Sequence, residues 1–186
     1  MQNEKLLKMN EQDWDRFDEL ATEAGLNYKV VHSIKNDYHL KHSRYYVGSQ
    51  ALYKENVYFI RQLPKFRSLY EAGIRELDLI GVKIDGMPRG SGVSNPTEQK
   101  VIRLLEIEKN IDIIDAASKT IPEEYRYGVL DHVIEAKHYY DSIYDFASVQ
   151  TWKKWVQKFV YEVAIRRGQR ELIKMLRAEE LDSEVE

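Results

Sequence analysis

Ser148-Val-Gln-Thr-Trp152-Lys-Lys-Trp155-Val-Gln-Lys158-Phe159-Val-Tyr-Glu-Val163-Ala is the stretch from which the fold can be read. Trp152, Trp155, Val156, Phe159, Val160 and Val163 fall at i, i+3, i+4, i+7, i+8 and i+11, one continuous stripe at helical period. Ser148 is placed to accept the first orphan amide bonds as N-cap, and Gly168 to end the helix. The spacing predicts a helix with its stripe buried, Trp155 included, against helices carrying Val101 to Ile114 and Tyr125 to Ile134.

Working upstream, Thr120-Ile-Pro122-Glu-Glu opens a helix with Tyr125, Val129, Leu130, Val133 and Ile134 that is expected to end near His138. Before it, Asn95-Pro96-Thr97-Glu98 has the form of a capping box with proline in the first helical position. That helix should run to about Ser118 and bury Val101, Leu104, Leu105, Ile111 and Ile114. The stretch from Ile84 to Ser94 holds three glycines and one proline and reads as a linker. Toward the N-terminus, Asn10 to Ala24 is amphipathic through Trp14, Phe17, Leu20, Ala21 and Ala24, with Gly25 as a stop. Ser49 to Leu63 repeats Leu52, Tyr53, Val57 and Ile60, Pro64 interrupts it, and Phe66 to Ile80 carries Leu69, Tyr70, Ile74, Leu77 and Ile80. Leu26 to Gly48 has no regular apolar spacing. The fold class expected is all-α: a helical N-terminal region (1–83), a Gly/Ser linker (84–94), and a helix-turn-helix-like C-terminal domain ending in an acidic tail (95–186). Such a linker should be cut by protease near Arg89 and leave the C-terminal part folded.

Composition narrows the function. The 186 residues are 43% hydrophobic and 32% charged, which is globular, and the net charge of -3 rules out a chain that coats nucleic acid as a polycation. With no cysteine there is no disulfide, thiolate metal site or cysteine nucleophile. Met1 to Asn10 is charged without an apolar segment, so no signal peptide is expected, and no apolar run reaches the ~20 residues that span a bilayer. A cytoplasmic protein is the expectation. Thirteen tyrosines is a high count, and many lie in polar surroundings where a phenol packs on one side and hydrogen-bonds on the other.

The charge is unevenly placed. From Ala147 to Arg170 there are six Lys/Arg and one acid, Glu162, a local excess of +5. Lys153, Lys154 and Lys158, with Arg166, Arg167 and Arg170 beyond, lie away from the apolar stripe, and Gln150 and Thr151 occupy the first turn. A capped basic helix after a short helical turn has the order of a helix-turn-helix, whose second helix enters the major groove N-terminus first. Lysines beside it would neutralise phosphates, and Gln150 and Thr151 would meet base edges. The plainer reading is a solvated face opposite a core stripe.

The run Met87-Pro-Arg-Gly-Ser-Gly-Val-Ser-Asn-Pro-Thr-Glu98, then Ile121-Pro-Glu-Glu-Tyr-Arg126, then Thr151-Trp152 and Phe159-Val-Tyr-Glu-Val-Ala164, resembles a phage and prophage family of Gram-positive bacteria that includes RinA-type and ArpU-type transcriptional regulators of late genes. The resemblance covers about Leu69 to Gly168. It implies a helical C-terminal domain similar to region 4 of sigma factors and DNA binding upstream of packaging or lysis genes in a bacterial host cell. It also implies a recognition helix from Ser148 to Gly168, with Gln150, Thr151, Lys153 and Lys154 facing DNA. The expected partner is duplex DNA; host RNA polymerase or another protein, and a second copy of the chain, are further candidates.

The rival reading is a phage-encoded module that inhibits or redirects a host protein without touching DNA. An enzyme is not expected. His32, His39 and His42 with Asp37 do not complete a metal set of known spacing and read as surface histidines. Gly86, Gly90 and Gly92 follow no strand and form no dinucleotide fingerprint. No cofactor or metal is expected.

Overall fold

The computed structural model describes residues 11–35, 45, 47–80, 96–136 and 146–181. Every regular element among them is an α-helix: α1 (Glu11–Glu23), α2 (Tyr28–Lys35), α3 (Gln50–Arg61), α4 (Leu63–Ile80), α5 (Pro96–Ser118), α6 (Glu123–Glu135), α7 (Val149–Arg166) and α8 (Arg170–Leu181). The fold is all-α. Asn95, the 84–94 linker and residues 137–145, where the first helix of a helix-turn-helix would lie, fall outside the described residues.

Local chemistry sets the helix ends. Ser49 caps α3 by accepting from the amides of Ala51 and Leu52. Ser148 caps α7 by accepting from the Thr151 amide at 3.2 Å. The end of α7 is a Schellman turn: the Gln169 amide donates to Ala164 O and the Gly168 amide to Ile165 O, with Gly168 at φ +82°. Gln169 then accepts from the Ile173 amide through its carbonyl, so α8 starts one residue after the turn.

Pro64 does not break the chain as its sequence position suggests. It lies in the first turn of α4, where a missing N–H costs nothing, and the Gln62 carbonyl accepts from Phe66 N to start that helix. Helix α6 stops at Glu135, short of His138, because Ala136 adopts a left-handed conformation at φ 56°. Helix α2 sets Ile34 into the second cluster with Val30 and Val31 packed beside it, Lys35 pairs with Asp18 of α1 at 2.8 Å, and Asn27 Oδ1 accepts from the Val30 amide.

Two large apolar clusters hold the helices together. The first joins Ile60 and Leu63 of the α3–α4 region to Ile114 and Ala117 of α5, Val129 and Val133 of α6, and Trp152, Val156, Phe159, Val160 and Val163 of α7. The second joins Phe17 and Ala21 of α1, Ile34 of α2 and Leu52 of α3 to Ala164 of α7 and Leu172, Ile173 and Leu176 of α8. Gly48 lets this cluster close: its φ is +83°, and a Cβ there would stand 2.5 Å from Leu176 Cβ. A third, smaller cluster lies between α4 and α5, built on Leu77, Val101 and Leu104. These two helices run antiparallel, zipped by Arg67 to Asp115 at 2.8 Å, Tyr70 to Glu108 at 2.7 Å and Lys100 to Glu76.

Leu105, expected inside, is 39% exposed, because α5 buries Val101 and Leu104 against α4 and turns Leu105 outward. Trp155 is half-buried at the edge of its stripe rather than within it, while Trp152 is 1% exposed. Both large clusters draw residues from either side of 84–94, so among the described residues there is no separate C-terminal core.

Two outcomes follow from this packing. Trp152→Ala is expected to cost about 3–5 kcal/mol in urea unfolding, as for large-to-small core changes, and Trp155→Ala roughly half of that. A fragment from residue 95 onward, deprived of Ile60, Leu63 and Leu52, is expected to show no cooperative thermal transition by circular dichroism.

Candidate nucleic-acid interface

The buried stripe of α7 determines what its other faces offer. At 100° per residue, Gln150, Lys154 and Lys158 form one line on the side away from the stripe, with Thr151 and Trp155 beside it. Gln150, Lys153 and Lys154 are exposed. Lys153 stands about 100° from Lys154 on the opposite flank, so the three lysines do not share one line.

The cations of the region have distinct environments. The Lys154 ammonium lies 5.3 Å from the Trp155 ring centroid. Lys158 donates to Thr120 O at 3.2 Å, and its ammonium sits 5.2 Å from the Trp155 ring and 5.9 Å from the Tyr45 ring. It therefore helps close the α5–α6 connection as well as adding charge to the face. Arg166 is paired with Glu162 at 2.7 Å on the same helix. Arg170, just past the Schellman turn, is exposed.

Arg167 belongs to the interior. Its side chain is 13% exposed and pairs with Glu55 at 3.3 Å. It donates to Asn56 Oδ1 at 2.9 Å and lies 4.2 Å from the Phe59 ring centroid. Burial draws its guanidinium below the ordinary arginine range, and Glu55 opposes that shift. Asn56, fully buried, donates to Leu52 O and to Gln169 Oε1 at 2.8 Å. The four residues Glu55, Asn56, Arg167 and Gln169 thus form one polar clamp between α3 and the α7–α8 corner.

Thr151 is also engaged: its hydroxyl is 3.0 Å from Ser148 Oγ within the cap. The expected contact set therefore divides. Gln150, Lys154 and Lys158 share a line, Thr151 serves the cap, Lys153 lies on the other flank, and Arg166 and Arg167 are held by acids.

An aromatic cluster borders the face and was not foreseen from the sequence. Tyr125 lies 5.3 Å from Trp152 and 5.6 Å from Trp155, and Phe146, which is 58% exposed, lies 5.3 Å from Trp152. Tyr45 is 6.1 Å from Tyr161 on the far side of the lysine line. Thirteen tyrosines hinted at such a surface, but the partners are more than a hundred residues apart for Tyr45, and no local pattern encodes that. The Trp155 Nε1 donor is buried with no acceptor among the described residues.

Of the histidines, His32 lies exposed on α2, while His39 and His42 fall outside the described residues. Among the described residues no group of three His, Asp or Glu side chains is arranged to hold a metal, and no helix is long and apolar enough to cross a membrane. No protein-family model, curated protein or solved structure matches the chain.

Arg167→Gln leaves Glu55 without its counter-charge inside the clamp. It is expected to lower stability by about 2–3 kcal/mol in urea unfolding, somewhat under the full cost of breaking a buried pair because both groups keep some exposure.

Proposed function

We propose that this chain binds duplex DNA through the exposed line of α7 and acts as a transcriptional regulator of phage or prophage type. The observation that carries the reading is the line Gln150–Lys154–Lys158 on a helix whose opposite stripe is locked into the core. An amide able to read a base edge stands one turn ahead of two ammonium groups able to neutralise phosphates. The cap leaves the helix N-terminus at the surface, where its partial positive charge adds to theirs. The regulator assignment rests on the family resemblance of the segments from Met87 to Ala164. Seating α7 in a groove by its N-terminal half leaves Arg166, engaged by Glu162, and Arg167, inside the clamp, out of the contact.

A protein partner is the second reading, favoured by the aromatic border of Tyr125, Phe146 and Trp155. The two separate on salt and on sequence. In the DNA reading, Lys153→Gln/Lys154→Gln/Lys158→Gln weakens binding to every duplex and lowers the slope of log affinity against log salt by nearer two than three increments of about 0.9, because Lys158 is already committed to Thr120 and two rings. Gln150→Ala relaxes preference at one or two base pairs by roughly 1–3 kcal/mol each. Fluorescence anisotropy across a salt series, with a duplex enriched from a random pool, measures both. No enriched duplex, and a triple variant that binds DNA as the parent does, would favour the protein partner.

A further inference from the structure

Away from α7, helices α2 and α3 border an open, shallow cleft of about 350 Å³. It is lined by the apolar Val30 and Ala51 and by Asn27, Lys29, Ser33, Lys54, Glu55 and Tyr58. The hydrogen-bonding inventory of this cleft is lopsided. The Asn27 Oδ1 acceptor is occupied by the Val30 amide, which leaves the Asn27 amide N–H groups as donors. The Glu55 carboxylate is turned to Arg167. The ammonium groups of Lys29 and Lys54 and the hydroxyls of Ser33 and Tyr58 have no ion pair or hydrogen bond among the described residues.

The cleft therefore presents donors and positive charge, while the Asn27 acceptor is engaged by Val30 and one Glu55 carboxylate oxygen by Arg167. Neither the Lys29 nor the Lys54 ammonium has an ion pair among the described residues, and the acid that lines the cleft, Glu55, is paired with Arg167. The complementary ligand is a compact oxyanion with several acceptor atoms, for which two lysines, two hydroxyls and an amide offer separate donors. The apolar Val30 and Ala51 suit the carbon skeleton or sugar that carries it.

We propose that the α2–α3 cleft is a binding site for a phosphate group, held by Lys29 and Lys54 with Ser33, Asn27 and Tyr58 around it. The phosphate belongs either to a small phosphate ester or to a nucleic-acid backbone, and the chemistry of the site is the same for both.

The test is an amide-resolved NMR titration of the full chain with inorganic phosphate at neutral pH, against sodium chloride at matched ionic strength. The expected result is a saturable shift confined to amides around Lys29, Val30, Ser33, Ala51 and Lys54, with apparent affinity reduced at least about tenfold in Lys29→Gln/Lys54→Gln. Both lysines are exposed, so that variant keeps the fold, and the unperturbed remainder of its spectrum verifies this. Shifts that match the chloride control, or that persist unchanged in the double variant, would overturn the proposal. A second arm identifies the source once phosphate binding is seen. If the double variant lowers the salt slope for duplex DNA by about two increments of 0.9, the group is a backbone phosphate; if the slope is unchanged, it is a small phosphate ester. The phosphate arm is independent of any DNA contact by α7.

Discussion

Burial of one stripe of α7, from Trp152 to Val163, is the constraint on which the remaining geometry depends. Those side chains meet residues from α3 to α6 in one cluster, and Ala164, one residue further, carries the same helix into the second cluster with α1, α2 and α8. Because α7 takes part in both, its rotation about its own axis is fixed. A turn of even one residue, about 100°, would drive Lys153 or Gln157 into the core, where an unpaired ammonium or amide carries a large desolvation cost. Fixing the rotation also fixes what faces outward, so the Gln150–Lys154–Lys158 line is a consequence of the packing on the other side.

The corner after α7 applies the same logic to polar groups. The Schellman turn at Gly168 reverses the chain over two residues and brings Arg167 and Gln169 against α3. Asn56 links both, donating to Gln169 Oε1 and accepting from Arg167 while also donating to Leu52 O, and the buried Gln169 Nε2 donor has no acceptor among the described residues. A buried network of this kind tolerates little rearrangement, because each lost partner leaves another group unsatisfied. Its consequence for function is that Arg167, which in sequence belongs to a basic run, adds stability instead of surface charge. The basic excess of +5 between Ala147 and Arg170, which already sets Glu162 against Arg166, therefore overstates the field at the surface, since Arg167 is neutralised by Glu55 from α3.

The legible parts of the chain were those in which local pattern and tertiary role coincide. The stripe of α7, the start of α6 after Pro122 and the cap at Ser148 are encoded within one or two helical turns, so spacing sufficed. Helix α2 was not legible because eight residues give barely two turns and only Ile34 is buried. Pro64 misled because a proline that ends one helix and one that begins the next have the same local appearance; the difference lies in Gln62, whose carbonyl starts α4. Leu105 and Leu104 are equally apolar, and only the antiparallel placement of α4 decides which is covered. At the candidate interface, Gln150 and Lys154 were readable from α7 alone. The engagement of Arg167 by Glu55, and of Lys158 by Thr120 and Tyr45, joins residues tens to more than a hundred positions apart, which no local pattern carries.

The central claim is that one helix serves two purposes, its stripe holding the core and its opposite line meeting DNA. Amide-resolved NMR of the full chain during titration with duplex DNA addresses it most directly. The account predicts the largest perturbations from Val149 to Lys158, centred on Gln150 and Lys154, with the Glu55–Asn56–Arg167–Gln169 clamp unmoved. Perturbations absent from this segment while other surfaces respond, or no response at any DNA concentration, would contradict it.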